Sequence, residues 1–139
     1  MTAADIEARV RDSFARQPLM TTIGARVDVV RSGHVELSLV FRDDLTQQNG
    51  FLHAGTIAAL ADSACGYAAL TMMPPGSDVL SIEFKINMLA PASGDALIAR
   101  ADVLRAGRTV VVCRADVYAK KGGDEKLVAA MQGTMAVRQ

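Results

Sequence analysis

Between Phe51 and Met73 only two side chains, His53 and Asp62, can carry charge near neutral pH. A run of that length could cross a bilayer. It is rich in Ala and Gly, however, and an acid near its middle costs about 2.5–3.5 kcal/mol on insertion scales, so a helix buried within a protein is expected. From about Ala54 to Met72 nothing but Gly55 and Gly66 weakens a helix, and Pro74-Pro75-Gly76 stops it. A helix that is apolar on nearly every face must be covered on nearly every face. The rest of the chain therefore has to serve as its wrapper.

The remaining pattern supplies one. The runs Ala25–Val30 and His34–Phe41 read as strands joined by a turn at Arg31-Ser32-Gly33. Four more strand-like runs, Val79–Leu89, Ala96–Leu104, Thr109–Tyr118 and Leu127–Val137, are separated by short breaks, among them Lys120–Asp124, that favour antiparallel pairing. Ahead of them all, Ala3 to Arg16 sets Ile6, Val10 and Phe14 at helical spacing, and Pro18 ends the pattern. The expected fold is α+β: an antiparallel β-sheet wrapped around a long central α-helix at about residues 54–72, with an N-terminal helix within residues 1–17. Half of the 139 residues are hydrophobic, which suits one core and a single domain over 1–139.

Composition excludes several functions. Fifteen basic and fifteen acidic side chains cancel, and no basic block stands beside aromatic residues, so neither nucleic acid nor a membrane is an expected partner. Met1 to Glu7 holds two acids and no apolar stretch, unlike a secretory signal, and a cytoplasmic location is expected. Cys65 and Cys113 lie far apart in apolar runs and read as small buried hydrophobes. The two His residues and the scattered acids match no metal-ligand spacing, and there is no phosphate-binding loop or Gly-x-Ser-x-Gly elbow. No metal and no cofactor is expected.

Chemistry concentrates in Gln47-Gln48-Asn49-Gly50-Phe51-Leu52-His53-Ala54-Gly55 and in Asp62. Backbone N–H groups in the first turn of a helix lack internal partners and carry partial positive charge, which makes an oxyanion site; Gly55 lets a ligand approach it. An acid on an apolar helix is costly unless it is hydrogen-bonded or faces a ligand. Asp62 is either a functional acid or a structural one bonded to a neighbour such as Ser81. His53, alone before a helix, reads as a cap or as the partner of a nearby carbonyl. Asp62 lies nine residues beyond His53, about 13 Å along a helix axis, too far for both ends to serve one carbonyl. A second subunit could bring its own Asp62 to the first subunit's Gly55.

Leu52-His53-Ala54-Gly55 with Leu60-Ala61-Asp62, followed by Val79-Leu80-Ser81-Ile82-Glu83-Phe84-Lys85-Ile86-Asn87-Met88-Leu89-Ala90-Pro91-Ala92, resembles the hotdog-fold acyl-CoA thioesterases of the PaaI-like group. The resemblance spans about Leu45 to Val137. It implies hydrolysis of acyl-CoA to free acid and CoA, by a homodimer at minimum and commonly a homotetramer. The family motif is His-Gly-Gly, with Ala54 here at the first glycine, and the retained Gly55 is expected to polarise the thioester carbonyl through its N–H. By the same resemblance Asp62 activates water or attacks directly, Gln47 holds the carbonyl or the water, and Ser81 orients the acid. Gln48 or Asn49 could substitute for Gln47 if the loop register shifts. His53 is the motif histidine. Phe51, with Met72, Met73 and Met88, is expected to shape the acyl pocket, and Arg108 and Thr109 are candidate CoA contacts. The competing readings are a hotdog dehydratase, a Cys65–His53 nucleophile, and a non-catalytic acyl-CoA-binding protein.

Overall fold

The computed structural model describes residues 1–139. The apolar run forms helix α3 (Ala54–Leu70), with eleven of its seventeen residues buried. It begins at His53, an N-cap in extended conformation, and it ends where the Thr71 hydroxyl donates to the Ala68 carbonyl at 2.6 Å, just ahead of Pro74 and Pro75. The wrapper is one antiparallel sheet of six strands: β1 (Arg26–Arg31), β2 (His34–Val40), β3 (Asp78–Met88), β4 (Ala96–Ala106), β5 (Val110–Lys121) and β6 (Asp124–Arg138). Their spatial order is β1-β2-β4-β5-β6-β3, and α3 packs against β2 through β6. This is the hotdog fold that the resemblance implied.

Strand alternation decides what faces the helix. Leu37, Leu39, Leu97 and Val117 point inward beside Ala99, Ala101 and Ala115, all with at most 1% exposure. The small residues on the central strands let the Ala-rich helix settle close to the sheet. No helix is long and apolar enough to cross a membrane.

Two boundaries differ from the sequence reading. The N-terminal helix α1 spans Ala3–Ala15, and a second short helix, α2 (Pro18–Thr22), starts at the proline that was expected to end the pattern. Proline lacks only a hydrogen bond that the first helical position never makes, so it opens a helix as readily as it closes one. Strands β5 and β6 also run on through the expected break at Lys120–Asp124, leaving Gly122-Gly123 as a two-residue turn with Gly122 at φ +58°. Lys120 pairs across the strands with Glu125, which supports a polar continuation of both.

One polar side chain of helix α1 reaches the end of α3. The Arg9 guanidinium donates to four carbonyls, Leu70 at 3.2 Å, Met73 at 2.9 Å, Pro74 at 2.9 Å and Ser77 at 2.8 Å. Those oxygens belong to the last turn of α3 and the loop after it, where the helix leaves carbonyls unpaired and partially negative. Replacing Arg9 by Met should lower the unfolding free energy by about 2 kcal/mol, measured as a shift in urea midpoint.

The outer sheet face carries an ion network. The His34 ring lies between Asp102 (Nδ1 to Oδ1, 2.6 Å) and Glu36 (Nε2 to Oε2, 2.7 Å). Arg100 continues it, bonded to Glu36 at 3.1 Å and to both oxygens of Glu125 at 2.7 and 2.9 Å. Both ring nitrogens can donate only when the imidazole is protonated. Burial opposes that charge, but the bonds to Asp102 and Glu36 outweigh it, and the His34 pKa is raised. A raised folded-state pKa stabilises below the unfolded value of about 6.5, and the contribution is lost as pH rises through the folded value. Chemical denaturation of wild type and His34→Gln should therefore differ most below about pH 6.5 and converge as pH rises.

Candidate active site

The segment before α3 is pinned on both sides. Gln47 N–H donates to the Phe51 carbonyl at 2.8 Å, Leu52 N–H to Ala92 at 2.9 Å, and His53 N–H to Leu45 at 2.9 Å. Gln47 Oε1 accepts the Asn49 N–H. The Gln47 Nε2 donates to nothing within the chain. A cavity of about 480 Å³ opens here, lined by Gln47, Phe51, His53, Ala54, Met88 and Pro91 among others.

The first turn of α3 contains one free donor, and it is not the expected one. The Gly55 N–H donates to His53 Nδ1 at 2.7 Å, and the Thr56 and Ile57 N–H groups reach the His53 carbonyl at 2.9 and 3.1 Å. Ala54 N–H makes no hydrogen bond within the chain. The expectation that Gly55 offers its N–H to a carbonyl is thus corrected: the imidazole already holds that hydrogen. Gly55 is needed for another reason, since a Cβ there would come within 3.0 Å of His53 Nδ1. An N-cap side chain accepts from the second or third helical N–H, so reading His53 as the cap already implied that Ala54, the first helical residue, keeps the spare donor.

Asp62 lies in a different cavity, of about 440 Å³, together with Ser81, Ser13, Arg16, Gln17 and Tyr67. It is half-buried, and its Oδ1 accepts the Ser81 hydroxyl at 2.6 Å. Ser81 stands at a register shift in β3, between Ser81 and Glu83, the kind of local bulge that re-aims a side chain. The two cavities share no residue. Ala54 and Asp62 are eight residues apart on one straight helix, about 12 Å along its axis.

Other expected residues are placed apart. Arg108 and Thr109 are exposed in the β4–β5 turn and line neither cavity, while the Thr109 carbonyl accepts the Val137 N–H at 2.9 Å. Met72 is near the β1–β2 turn, where the Ser32 hydroxyl meets its sulfur, and Met73 is buried, so neither shapes a cavity with Phe51. Cys65 is fully buried beside Cys113, and burial pushes its thiol well above the usual range, which leaves no thiolate for attack. His34 is committed to the outer face of the sheet. The residues that sequence reasoning missed are Ala54 and the wall formed by Arg16, Gln17 and Tyr67. The capping rule pointed to Ala54, but nothing local marks Gln17, which reaches α3 only through the fold.

The chain belongs to the thioesterase superfamily, whose family model matches residues 49–126. It is similar to the crystal structure of a thioesterase family protein from Silicibacter pomeroyi, at 47% identity and TM-score 0.94, over 96% of this chain and 98% of that one. It is also 26% identical, over 87% of its length and 96% of the relative's, to the 1,4-dihydroxy-2-naphthoyl-CoA hydrolase of Listeria monocytogenes. The PaaI protein of E. coli shares the fold at TM-score 0.89 and 18% identity, covering all of this chain and 97% of that one.

The cap can be tested without reference to activity. His53→Ala should cost about 1 kcal/mol of stability, and His53→Asn, which can also accept the Gly55 N–H, should recover most of it. Thermal melts of both variants read the difference.

Proposed function

We propose that the protein hydrolyses acyl-CoA thioesters at sites shared between two copies of the chain. The observation that carries this reading is the division of one chain into two half-sites. A free N–H at Ala54 and a hydrogen-bonded carboxylate at Asp62 occupy separate cavities on one rigid helix. Neither half suffices alone, and a two-fold partner supplies what each lacks.

The exposed edge of β3 is the natural seam. It bonds only to β6, and Leu80 and Ile82 at 56%, Leu89 at 54%, and Phe84 and Met88 at 42% are exposed along it and just past its end. An unpaired apolar edge this long invites another strand. Two-fold pairing centred near Phe84 sets Ser81 opposite the partner's Asn87 and next to the partner's Met88, so the acid of one copy approaches the other copy's cavity.

In this arrangement the thioester oxygen accepts from Ala54 N–H at the positive end of α3 and from Gln47 Nε2. Asp62 from the other subunit takes a proton from water while the water oxygen bonds to the carbonyl carbon. The tetrahedral oxyanion then re-forms the C=O bond, the C–S bond breaks, and the CoA thiolate leaves. Direct attack by the Asp62 carboxylate, through an anhydride that water opens, uses the same groups. Ser81 holds the carboxylate in position, Phe51 borders the carbonyl side, the Asn49 N–H orients the Gln47 amide through its Oε1, and Arg108 and Thr109 are candidates for the CoA chain. The Listeria relative, a hydrolase of an acyl-CoA, supports a CoA thioester as the substrate.

Release of CoA, followed with a thiol reagent, should fall by about 10²–10⁴ in Asp62→Ala. Ala54→Pro deletes the proposed donor at the first helical position, where proline fits and where His53 already has φ −62°, ψ 140°. It should lose about 10²–10³ in turnover while keeping its fold. Subunit exchange between the two inactive variants should restore about a quarter of wild-type activity, because half the dimers are mixed and each mixed dimer has one intact site. No recovery on exchange, with mixed dimers demonstrated, would sink the shared site.

A further inference from the structure

Beyond its apolar residues, the free edge of β3 carries two charges of opposite sign. Glu83 and Lys85 stand opposite Thr134 and Gln132 of β6, on the sheet face away from α3, while Phe84 between them stands opposite the buried Gly133. Elsewhere on that outer face charges pair within the chain: Arg100 with Glu36 and Glu125, and Arg114 with Asp116. Glu83 and Lys85 are exposed and take part in no salt bridge. The Thr134 hydroxyl donates to Glu83 Oε1 at 2.5 Å, which steadies the carboxylate and leaves its other oxygen without a partner.

A second copy of the same edge supplies both partners, and charge decides how it docks. About a two-fold axis, antiparallel β3 strands place one residue opposite itself, and side chains of the same face oppose each other. With Glu83 on the axis, carboxylate meets carboxylate; with Lys85 there, ammonium meets ammonium. Of these three neighbouring registers, only an axis at Phe84 puts Glu83 opposite the partner's Lys85 and Lys85 opposite the partner's Glu83. All three keep every side chain on its own face, so apolar burial separates them little. Opposite charges directly across an antiparallel pair stabilise it, and like charges destabilise it. An exposed ion pair adds little to stability, but selecting a register requires only a difference, and here two attractions stand against a like-charge contact. Moving the axis by one residue slides one strand past the other by two, about 6.8 Å. That slide carries Asp62 away from the partner's Ala54 N–H.

We infer that Glu83 and Lys85 are positioning residues: two reciprocal ion pairs across the β3 seam fix its register, and with it the approach of Asp62 to the partner's Ala54. This rests on the site being shared between two copies. The test reverses the charges. Glu83→Lys alone and Lys85→Glu alone set like charges across the seam, whereas the double variant restores both attractions with the signs exchanged. Each single variant should weaken self-association and CoA release by about tenfold, and the double variant should return to within about twofold of wild type. Mixed at low salt, with one of them mass-tagged, the two single variants should place about four-fifths or more of the dimers in the mixed form by native mass spectrometry, against the half that chance gives. The register is read by oxidation of Phe84→Cys, which should cross-link to itself. Residues opposite each other in an antiparallel pair lie about 4.5–5.5 Å apart at Cα, within disulfide reach, and the native Cys65 and Cys113 are buried. Mixed dimers at the chance level, a double variant as impaired as the singles, or stronger self-cross-linking by Glu83→Cys or Lys85→Cys than by Phe84→Cys overturns the inference. Charge-dependent pairing with cross-linking at Phe84→Cys but no CoA release by wild type would leave the register standing and count against hydrolysis.

Discussion

Burial of α3 is the constraint from which the rest follows. A seventeen-residue helix with no polar face cannot rest on one surface of a sheet with its other side in water. The sheet must curl around it, β2 and β4 must pair across the long excursion that contains α3 and β3, and β3 must cross to the far edge. What escapes burial is what interrupts the apolar pattern: the start of the helix at His53 and Ala54, and the one carboxylate partway along. The wrapper that makes the fold stable also leaves these two places as polar openings toward α3.

Much of this was legible from residues. The uniform apolarity of Phe51–Met73, bracketed by turn residues and prolines, required a central helix, and alternation along the other runs required strands around it. The acid at Asp62 stood out because nothing nearby in sequence neutralises it. Other features were hidden for physical reasons. Whether Pro18 stops a helix or starts one depends on the chain before it, and Gly122-Gly123 shortens a turn only because the strands on either side are already paired. The assignment of Gly55 failed differently. Glycine was read as an opening for a ligand, whereas its missing Cβ makes room for the His53 ring, and the competition between a capping side chain and a ligand for one N–H is decided by local geometry.

His53 therefore shapes the candidate site by subtraction. Of the N–H groups in the first turn, it withdraws Gly55 through its ring and Thr56 and Ile57 through its carbonyl. One donor remains, at a defined place, backed by the positive end of a helix that points at it. A single preorganised donor in a partly enclosed cavity is worth more to a developing oxyanion than several mobile ones, because it does not have to reorient as charge appears. Alanine at position 54 suits the same geometry: its backbone N–H has no partner within the chain, and its side chain is exposed.

The N-terminal helix connects stability to the shape of the Asp62 cavity. Arg9 holds α1 on the carbonyls at the C-terminal end of α3, and Phe14 packs on Tyr67 with ring centroids 5.9 Å apart. Gln17 follows directly and reaches Ser63 and Tyr67 from that anchored position. The far wall of the Asp62 cavity is thus built by the N-terminal segment, whose Val10, Met20 and Ile23 are buried in the same hydrophobic core as α3 and the strands. Ser13, Arg16 and Gln17 line the cavity without belonging to the core, so among its walls the stretch from α1 to α2 is where the lining can vary at least structural cost.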